Sequence, residues 1–133
     1  MRPPVDVLVI DDDEAIRDLV TAMFTEEGYS IMTVASVDDA LEVVGRHPPK
    51  IIFLDSATAE ASAGDAAFVT AYRQSPPPHA PIILFTAVAN AAGYADQLHV
   101  DGLLTKPFEV EELLALVRQH TDRTEKPLTE PTP

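Results

Sequence analysis

Four short apolar runs of this sequence end in side chains that can bind a metal ion or a phosphoryl group. In chain order these side chains are Asp11 with Asp12, then Asp55, Thr86 and Lys106. If the runs are parallel strands, their carboxyl ends lie at one edge of a sheet, where such sheets bind ligands. That edge would combine three carboxylates, a hydroxyl and an ammonium group.

This combination of groups is suited to phosphoryl transfer. Three neighbouring carboxylates repel one another, and a bound cation relieves the repulsion. We expect Mg²⁺ or Mn²⁺, because these hard cations take oxygen ligands and accept phosphate oxygens. A carboxylate can attack phosphorus and form an aspartyl phosphate. The cation, the Lys106 ammonium and the Thr86 hydroxyl would then stabilise the three equatorial oxygens of the transferring group.

Strand and helix patterns alternate along the chain and would position these groups. Strands are predicted at residues 5–10, 29–34, 51–54, 82–85 and 102–105. Helices are predicted at 14–27, between the cap Ser36 and Pro48, at 65–74, at 91–98, and across 110–117. Strands buried on both faces and joined by crossover helices form a doubly wound, parallel α/β sheet.

Apolar residues at helical spacing predict which helix faces are buried. The expected buried positions are Ile16, Leu19, Val20, Met23 and Phe24 in the first helix, Phe68, Val69 and Tyr72 in the third, and Val110, Leu113, Leu114 and Val117 in the last. Gly28 is expected to end the first helix.

Composition excludes several classes of protein. The chain has 133 residues, is 46% hydrophobic and has no cysteine, so it is one globular domain without disulfides or thiolate chemistry. Its apolar runs are far shorter than the ~18 residues of a transmembrane helix, and its start leads into a strand. A cytoplasmic protein without membrane association is therefore expected. The net charge of −13 also argues against nucleic-acid binding by this chain.

The chain resembles the receiver domain of bacterial response regulators over about residues 5 to 121. The resemblance rests on four blocks: Val9-Ile10-Asp11-Asp12, Ile52-Phe53-Leu54-Asp55, Leu84-Phe85-Thr86-Ala87 and Thr105-Lys106-Pro107-Phe108. It implies a flavodoxin-like (αβ)5 fold with strand order 2-1-3-4-5. The receiver domain would cover residues 1–122, and 123–133 would be a disordered tail or a truncated linker.

The resemblance also implies a role for each residue of the cluster. Asp55 matches the phosphoacceptor of the family, and Asp11 and Asp12 match its acidic pair. The metal ligands would be these three carboxylates together with the backbone carbonyl of Ala57.

The other two blocks match the groups that stabilise the phosphoryl group and report its presence. Thr86 matches the switch hydroxyl, with Ala87 beside it, and Lys106 matches the lysine that contacts the phosphoryl group. The bond between Lys106 and Pro107 is expected to be cis, as in the family.

Several positions depart from the pattern of the family. The loop after Asp55 lacks the usual Met-Pro pair, and its glycine, Gly64, comes one place late. Leu103 stands where an aromatic switch residue is common. Ala57 and Val88 stand where polar side chains often guide the hydrolytic water, which predicts a long-lived aspartyl phosphate.

The function implied is that of a phosphoacceptor receiver. It would take a phosphoryl group from a sensor histidine kinase or a phosphotransfer protein, and would then switch a surface that binds a downstream effector. Because Leu116 replaces a basic residue that pairs across receiver dimers, we expect a monomer or a weak dimer. Such a domain turns over no free substrate and is not expected to be an enzyme.

Two other functions stay open from the sequence. The first is a receiver-like binding module that works without phosphorylation. The second is a phosphatase of the haloacid-dehalogenase type, with Asp11 as nucleophile and Asp13 two positions later. Ala15 departs from the motif of that family, which usually has Thr or Val at this position.

Overall fold

The computed structural model describes residues 5–55, 62–86, 91–105 and 109–121, in which five strands alternate with five helices. The strands are β1 Val5–Ile10, β2 Ile31–Val34, β3 Pro49–Asp55, β4 Ile82–Thr86 and β5 Gly102–Thr105. The helices are α1 Glu14–Glu26, α2 Val37–Arg46, α3 Ser62–Gln74, α4 Ala91–Leu98 and α5 Val110–Thr121.

The five strands form one parallel sheet in the order β2-β1-β3-β4-β5. This confirms the predicted doubly wound α/β class and the flavodoxin-like strand order. The chain moves outward from β1 to β2 and then returns to the other side of β1 to form β3. The strand order therefore reverses between β1 and β3, and such a reversal leaves a crevice at the carboxyl ends of the two strands.

Alternate residues of the strands face two separate cores, as the two-residue period of a strand requires. One core lies under α1 and α5 and includes Val7, Val9, Val20, Phe24, Ile51, Phe53, Leu113 and Val117. The other lies under α2 and α3 and includes Leu8, Ile10, Ala40, Ile52, Leu54, Phe68, Val69 and Tyr72. Burial on both faces explains the continuous apolar runs of the three central strands, at 7–10 in β1, 51–54 in β3 and 82–85 in β4.

Local signals set the ends of the first two helices. The Asp13 carboxylate accepts a hydrogen bond from the Ala15 amide at 2.9 Å and caps α1. The Ser36 hydroxyl caps α2 by accepting from the Asp39 amide at 3.2 Å. Gly28 follows α1 with a φ of 89°, a conformation that glycine adopts without a steric penalty.

Two predictions of buried residues were wrong. Leu19 is 54% exposed, because α1 turns Val20 and Phe24 toward the sheet and leaves Leu19 at the margin of the apolar stripe. Val110 is 48% exposed, because it is the first residue of α5 and precedes Leu113, the first residue of that helix in the core. Exposed apolar residues of this kind are ordinary at the edges of a helix face.

The bounds of the elements otherwise agree with the sequence patterns to within a few residues. α4 and β5 begin and end where they were predicted, whereas α3 begins at Ser62, three residues earlier. β2 is shorter than predicted and begins at Ile31. None of the helices in the described ranges has the length and apolar character needed to cross a bilayer.

Candidate functional site

Three carboxylates meet at the crevice between β1 and β3. Asp11, Asp12 and Asp55 each contribute one oxygen atom to a group whose members lie within 4.8 Å of one another. The register of the sheet explains this proximity, since Ile10 pairs with Leu54 and each is followed directly by an aspartate. Asp11 is buried, Asp55 is half-buried and Asp12 is exposed, so the cluster opens to solvent on one side.

The loop from Asp11 to Asp13 is held by its own backbone and side chains. The Asp11 amide donates to the Val34 carbonyl at 3.0 Å, and the Asp11 carboxylate accepts from the Asp13 amide at 2.9 Å. The Asp13 carboxylate is occupied by the cap of α1. The acidic triplet therefore divides into two residues of the cluster and one helix cap.

Arg17 lies beside this loop and was missed by the sequence analysis. Its guanidinium Nη1 donates to the backbone carbonyl of Asp11 at 2.8 Å. The signal was present in the sequence, because Arg17 lies one helical turn after the cap Asp13 and can reach back over the start of α1. A single arginine at this spacing is too common to single out without coordinates.

Thr86 lies at the same edge of the sheet as the carboxylates. It is the last residue of β4, is fully buried, and follows Phe85, which pairs with Asp55 across β3 and β4. Its partner in β5 is Thr105, the residue that precedes Lys106 in the chain. The structure thus brings Thr86 to the edge that the sequence predicted.

Four residues of the predicted site lie outside the described residues. These are Ala57, Ala87, Lys106 and Pro107. Residues 56–61 of the loop after Asp55 also lie outside the described residues. Their assigned roles, and the cis peptide before Pro107, stay predictions. Three departures lie among the described residues: Leu103 and Leu116 are both half-buried, and Gly64 is exposed in the first turn of α3.

The carboxylate cluster fits a hard divalent cation. Its donors are oxygen atoms alone, and it contains no soft sulfur ligand that would favour zinc or copper. Its spread of 4.8 Å allows three carboxylate oxygens to approach one ion, and the exposure of Asp12 leaves room for water or a phosphate oxygen. A bound cation would offset the repulsion among the three charges.

Comparison with known proteins gives the family of the chain. The family model of the response regulator receiver domain matches residues 7–118. The chain belongs to this family. Receiver domains are signalling domains of two-component systems, and the resemblance noted from the sequence is thereby confirmed.

The curated relatives of this receiver domain include longer regulators. It is 34% identical over 124 residues to the transcriptional regulatory protein YvrH of Bacillus subtilis, covering 89% of this chain and 49% of that protein. It is 30% identical over 123 residues to the probable transcriptional regulatory protein TcrX of Mycobacterium tuberculosis, covering 91% and 51%. The chain thus spans about half the length of these relatives. A 14.6 kDa uncharacterized protein of Leptolyngbya boryana is 31% identical, covering 86% and 88%.

Solved structures show the same fold as this receiver domain. A putative response regulator from Chloroflexus aurantiacus superposes with a TM-score of 0.74 at 24% identity, covering 90% of this chain and 99% of that one. The receiver domain of the sensor histidine kinase PA1611 from Pseudomonas aeruginosa has a TM-score of 0.72 at 21% identity, covering 90% and 98%. That structure has a magnesium ion coordinated in its active site cleft.

Proposed function

We propose that this receiver domain accepts a phosphoryl group on Asp55, assisted by Mg²⁺ or Mn²⁺. The observation that carries the proposal is the meeting of Asp11, Asp12 and Asp55 at the carboxyl ends of β1 and β3. The Ala57 carbonyl is the proposed fourth protein ligand. When bound, the cation would offset negative charge on the transferring group. The magnesium in the cleft of the PA1611 receiver domain supports this assignment.

Side chains of this protein would carry out the phosphoryl transfer itself. An Asp55 oxygen forms a bond to phosphorus while the P–N bond of a donor phosphohistidine breaks, and the imidazole leaves with the electron pair of that bond. The Lys106 ammonium stabilises one phosphoryl oxygen, and the Thr86 hydroxyl, with Ala87 beside it, stabilises another. The full burial of Thr86 restricts it to a few orientations, so recruitment of its hydroxyl favours a different packing of β4 and α4.

Response regulators work with histidine kinases and downstream effectors, and the partners of this chain are proposed in the same terms. A sensor histidine kinase or a phosphotransfer protein supplies the phosphoryl group. A surface near α4 and α5 then presents the signal to an effector. We assign residues 1–122 to the receiver domain and 123–133 to a tail or linker. We place this function in the cytoplasm, without direct contact to nucleic acid or membrane.

The contacts of two residues, Asp101 and Leu116, support a monomer or a weak dimer. Asp101, the acidic group that could pair across a dimer, accepts hydrogen bonds from Arg73 at 3.0 Å and from the Ile82 amide at 2.8 Å within its own chain. Leu116, which replaces a basic residue of pairing receivers, packs against the core under α1 and α5. Neither residue supports the charge pairs of a dimer.

The proposal is tested by labelling with a small phosphodonor. Incubation with acetyl phosphate and Mg²⁺ should add the mass of one phosphoryl group to the wild-type chain, as measured by intact mass spectrometry. Asp55→Asn should abolish the addition, because an amide oxygen is a poor nucleophile toward phosphorus. Asp13→Asn is the matched control: it alters a neighbouring aspartate outside the cluster, asparagine still caps a helix, and labelling should persist.

Other outcomes would identify a different function. A wild-type chain that gains no mass from acetyl phosphate, and no mass from a phosphorylated histidine kinase, would be a binding module that works without phosphorylation. Labelling that survives Asp55→Asn but is lost in Asp11→Asn would move the nucleophile to Asp11, as in a phosphatase of the haloacid-dehalogenase type. Either result would overturn the proposal.

A further inference from the structure

Arg17 is a charged residue beside the Asp11–Asp13 loop, and the proposed phosphotransfer chemistry gives it no role. It lies in the first turns of α1 and is half-buried. Its guanidinium contacts the loop at one point, the carbonyl oxygen of Asp11, at 2.8 Å. A charged donor at this distance makes a stronger hydrogen bond than a neutral donor does.

This hydrogen bond holds the peptide unit between Asp11 and Asp12. Because a peptide unit is planar, fixing the Asp11 carbonyl also fixes the orientation of the Asp12 nitrogen and Cα. Asp11 has further anchors at its amide and at its carboxylate. Among the described residues, by contrast, the Asp12 side chain has no hydrogen bond or ion pair, so its direction depends on the backbone that carries it.

The contact of Arg17 is with the backbone and not with the carboxylates. Within the described part of the chain, no ion pair joins Arg17 to a carboxylate within 4.0 Å. Its positive charge is nevertheless close to the cluster, since Asp11 provides both the carbonyl and one of the clustered oxygens. By Coulomb's law a nearby cation opposes the binding of a second cation. The charge of Arg17 therefore lowers the affinity for a cation, whereas its hydrogen bond to Asp11 raises that affinity.

We propose that Arg17 is a positioning residue of the cation site, which orients Asp12 through the Asp11–Asp12 peptide. This inference rests on the proposed function, because it assumes that the cluster binds a divalent cation. Its effect on affinity through the hydrogen bond exceeds the opposing effect of its charge. Loss of the side chain then weakens cation binding, although a repelling charge has been removed.

The test measures Mn²⁺ affinity by titration calorimetry at constant ionic strength, well below the unfolding temperature. Arg17→Met removes the charge and the donors but keeps an unbranched apolar stem. We expect binding about tenfold weaker than in the wild type, the usual effect of losing an outer partner of a metal ligand. Arg17→Lys keeps the charge and one possible donor, and should give an intermediate affinity.

Arg46→Met is the matched control. Arg46 is an exposed helix residue that pairs with Glu42 at 2.9 Å on α2, and its replacement should leave Mn²⁺ affinity unchanged. The unfolding temperature of each variant without metal is measured in parallel, because a merely structural role of Arg17 would lower that temperature and leave the affinity at 25 °C unchanged. If Arg17→Met does not fold, as judged by circular dichroism, Arg17→Lys carries the test.

If Arg17→Met, or Arg17→Lys where Arg17→Met does not fold, binds Mn²⁺ as tightly as the wild type or more tightly, the inference is wrong. The proposed cation site would not be contradicted by that result. Unchanged binding would mean that the Asp11–Asp12 peptide needs no help from Arg17, and tighter binding would mean that the charge dominates. A wild-type chain that binds no Mn²⁺ is a different result, since it contradicts the proposed cation site and this inference together.

Discussion

Asp11, Asp12 and Asp13 are consecutive and chemically identical, yet the backbone assigns them different tasks. Asp11, Asp12 and Asp55 each place a carboxylate oxygen within 4.8 Å of the others. Asp13 instead caps α1 by accepting a hydrogen bond from the Ala15 amide. The rule that ligands gather at the carboxyl ends of parallel strands predicted the cluster. It did not single out Asp13, because capping depends on where the helix starts and not on the residue type alone.

A second residue-scale effect concerns Tyr72, far from the carboxylates. Its ring stacks on Phe68, and its hydroxyl accepts a hydrogen bond from the Ala80 amide at 2.7 Å. Burial raises the pKa of Tyr72 above its usual 10.0, and the Ala80 hydrogen bond offsets only part of this effect. The neutral phenol is therefore favoured in the folded protein relative to the unfolded chain.

We predict that this preference makes stability fall at alkaline pH. In the unfolded chain the phenol ionises near pH 10, so the contribution of Tyr72 is complete below that pH and is lost as pH rises through the higher folded pKa. Urea unfolding at pH 8 to 11 should show the decline. Tyr72→Phe should cost about 1 kcal/mol at pH 7 through the unpaired Ala80 amide, and should make the decline shallower. If the free energy of unfolding falls equally in the wild type and in Tyr72→Phe as the pH rises, other groups cause the decline.

The lifetime of the proposed aspartyl phosphate should depend on two residues, each two positions after a proposed reactive residue in the sequence. Ala57 and Val88 have no side-chain donor or acceptor to guide a hydrolytic water. We predict that the isolated, phosphorylated chain loses its phosphoryl group over many minutes, as followed by intact mass spectrometry. Ala57→Asn should shorten the lifetime. Loss from the wild type within seconds would contradict the prediction.

At the scale of elements, α4 is the shortest of the helices that the structure describes. It has eight residues, contains Gly93, and buries Ala91 and Leu98. A hydrogen bond ties it to α3, from the Tyr94 hydroxyl to the buried Asp65 carboxylate at 2.7 Å. Since Thr86 ends the strand before α4, this hydrogen bond anchors the helix that follows the proposed switch hydroxyl in the chain.

We predict that Tyr94→Phe loosens α4 without unfolding the domain. The change removes a donor and leaves a buried acceptor with one partner fewer, at a cost of about 1 to 3 kcal/mol. Hydrogen exchange should show faster exchange of the amides of 91–98, while β1 and β3 stay protected. Gln97→Ala, an exposed change in the same helix, is the control. If the amides of 91–98 exchange at the same rate in Tyr94→Phe as in the wild type, the hydrogen bond from Tyr94 to Asp65 is not needed to hold α4 in place.

The helix faces show where sequence patterns stop being informative about an element. Val20, Phe24, Leu113 and Val117 were predicted to be buried and are buried, because each lies at the centre of an apolar stripe. Leu19 and Val110 were predicted to be buried and are exposed. Hydrophobic periodicity gives the direction of a stripe, but the width that is covered depends on how the helix lies on the sheet.

The whole molecule has a net charge of −13, so its charges repel one another in the folded state. We predict that NaCl stabilises it moderately by screening, and that Mg²⁺ at the same ionic strength stabilises it further by binding. At ten times its dissociation constant, Mg²⁺ should add about 1.4 kcal/mol to the free energy of unfolding, measured in urea. In Asp12→Asn, which lacks one carboxylate of the cluster, Mg²⁺ and NaCl at the same ionic strength should change the free energy of unfolding equally. Equal effects of both salts on the wild type would contradict specific binding.

The order of strands and helices, their approximate bounds and the residues at the carboxyl ends of the strands were determined by the sequence alone. These features follow from periodicity, caps and turns, which are local and act within a few residues. The tertiary structure alone decided that Arg17 holds the Asp11 carbonyl, that Tyr94 ties α4 to Asp65, and that Arg73 engages Asp101. The last two contacts join residues nearly thirty positions apart and depend on the docking of helices, which no local pattern encodes. The Arg17 contact spans six residues, but an arginine at this spacing is too common for the sequence to predict it.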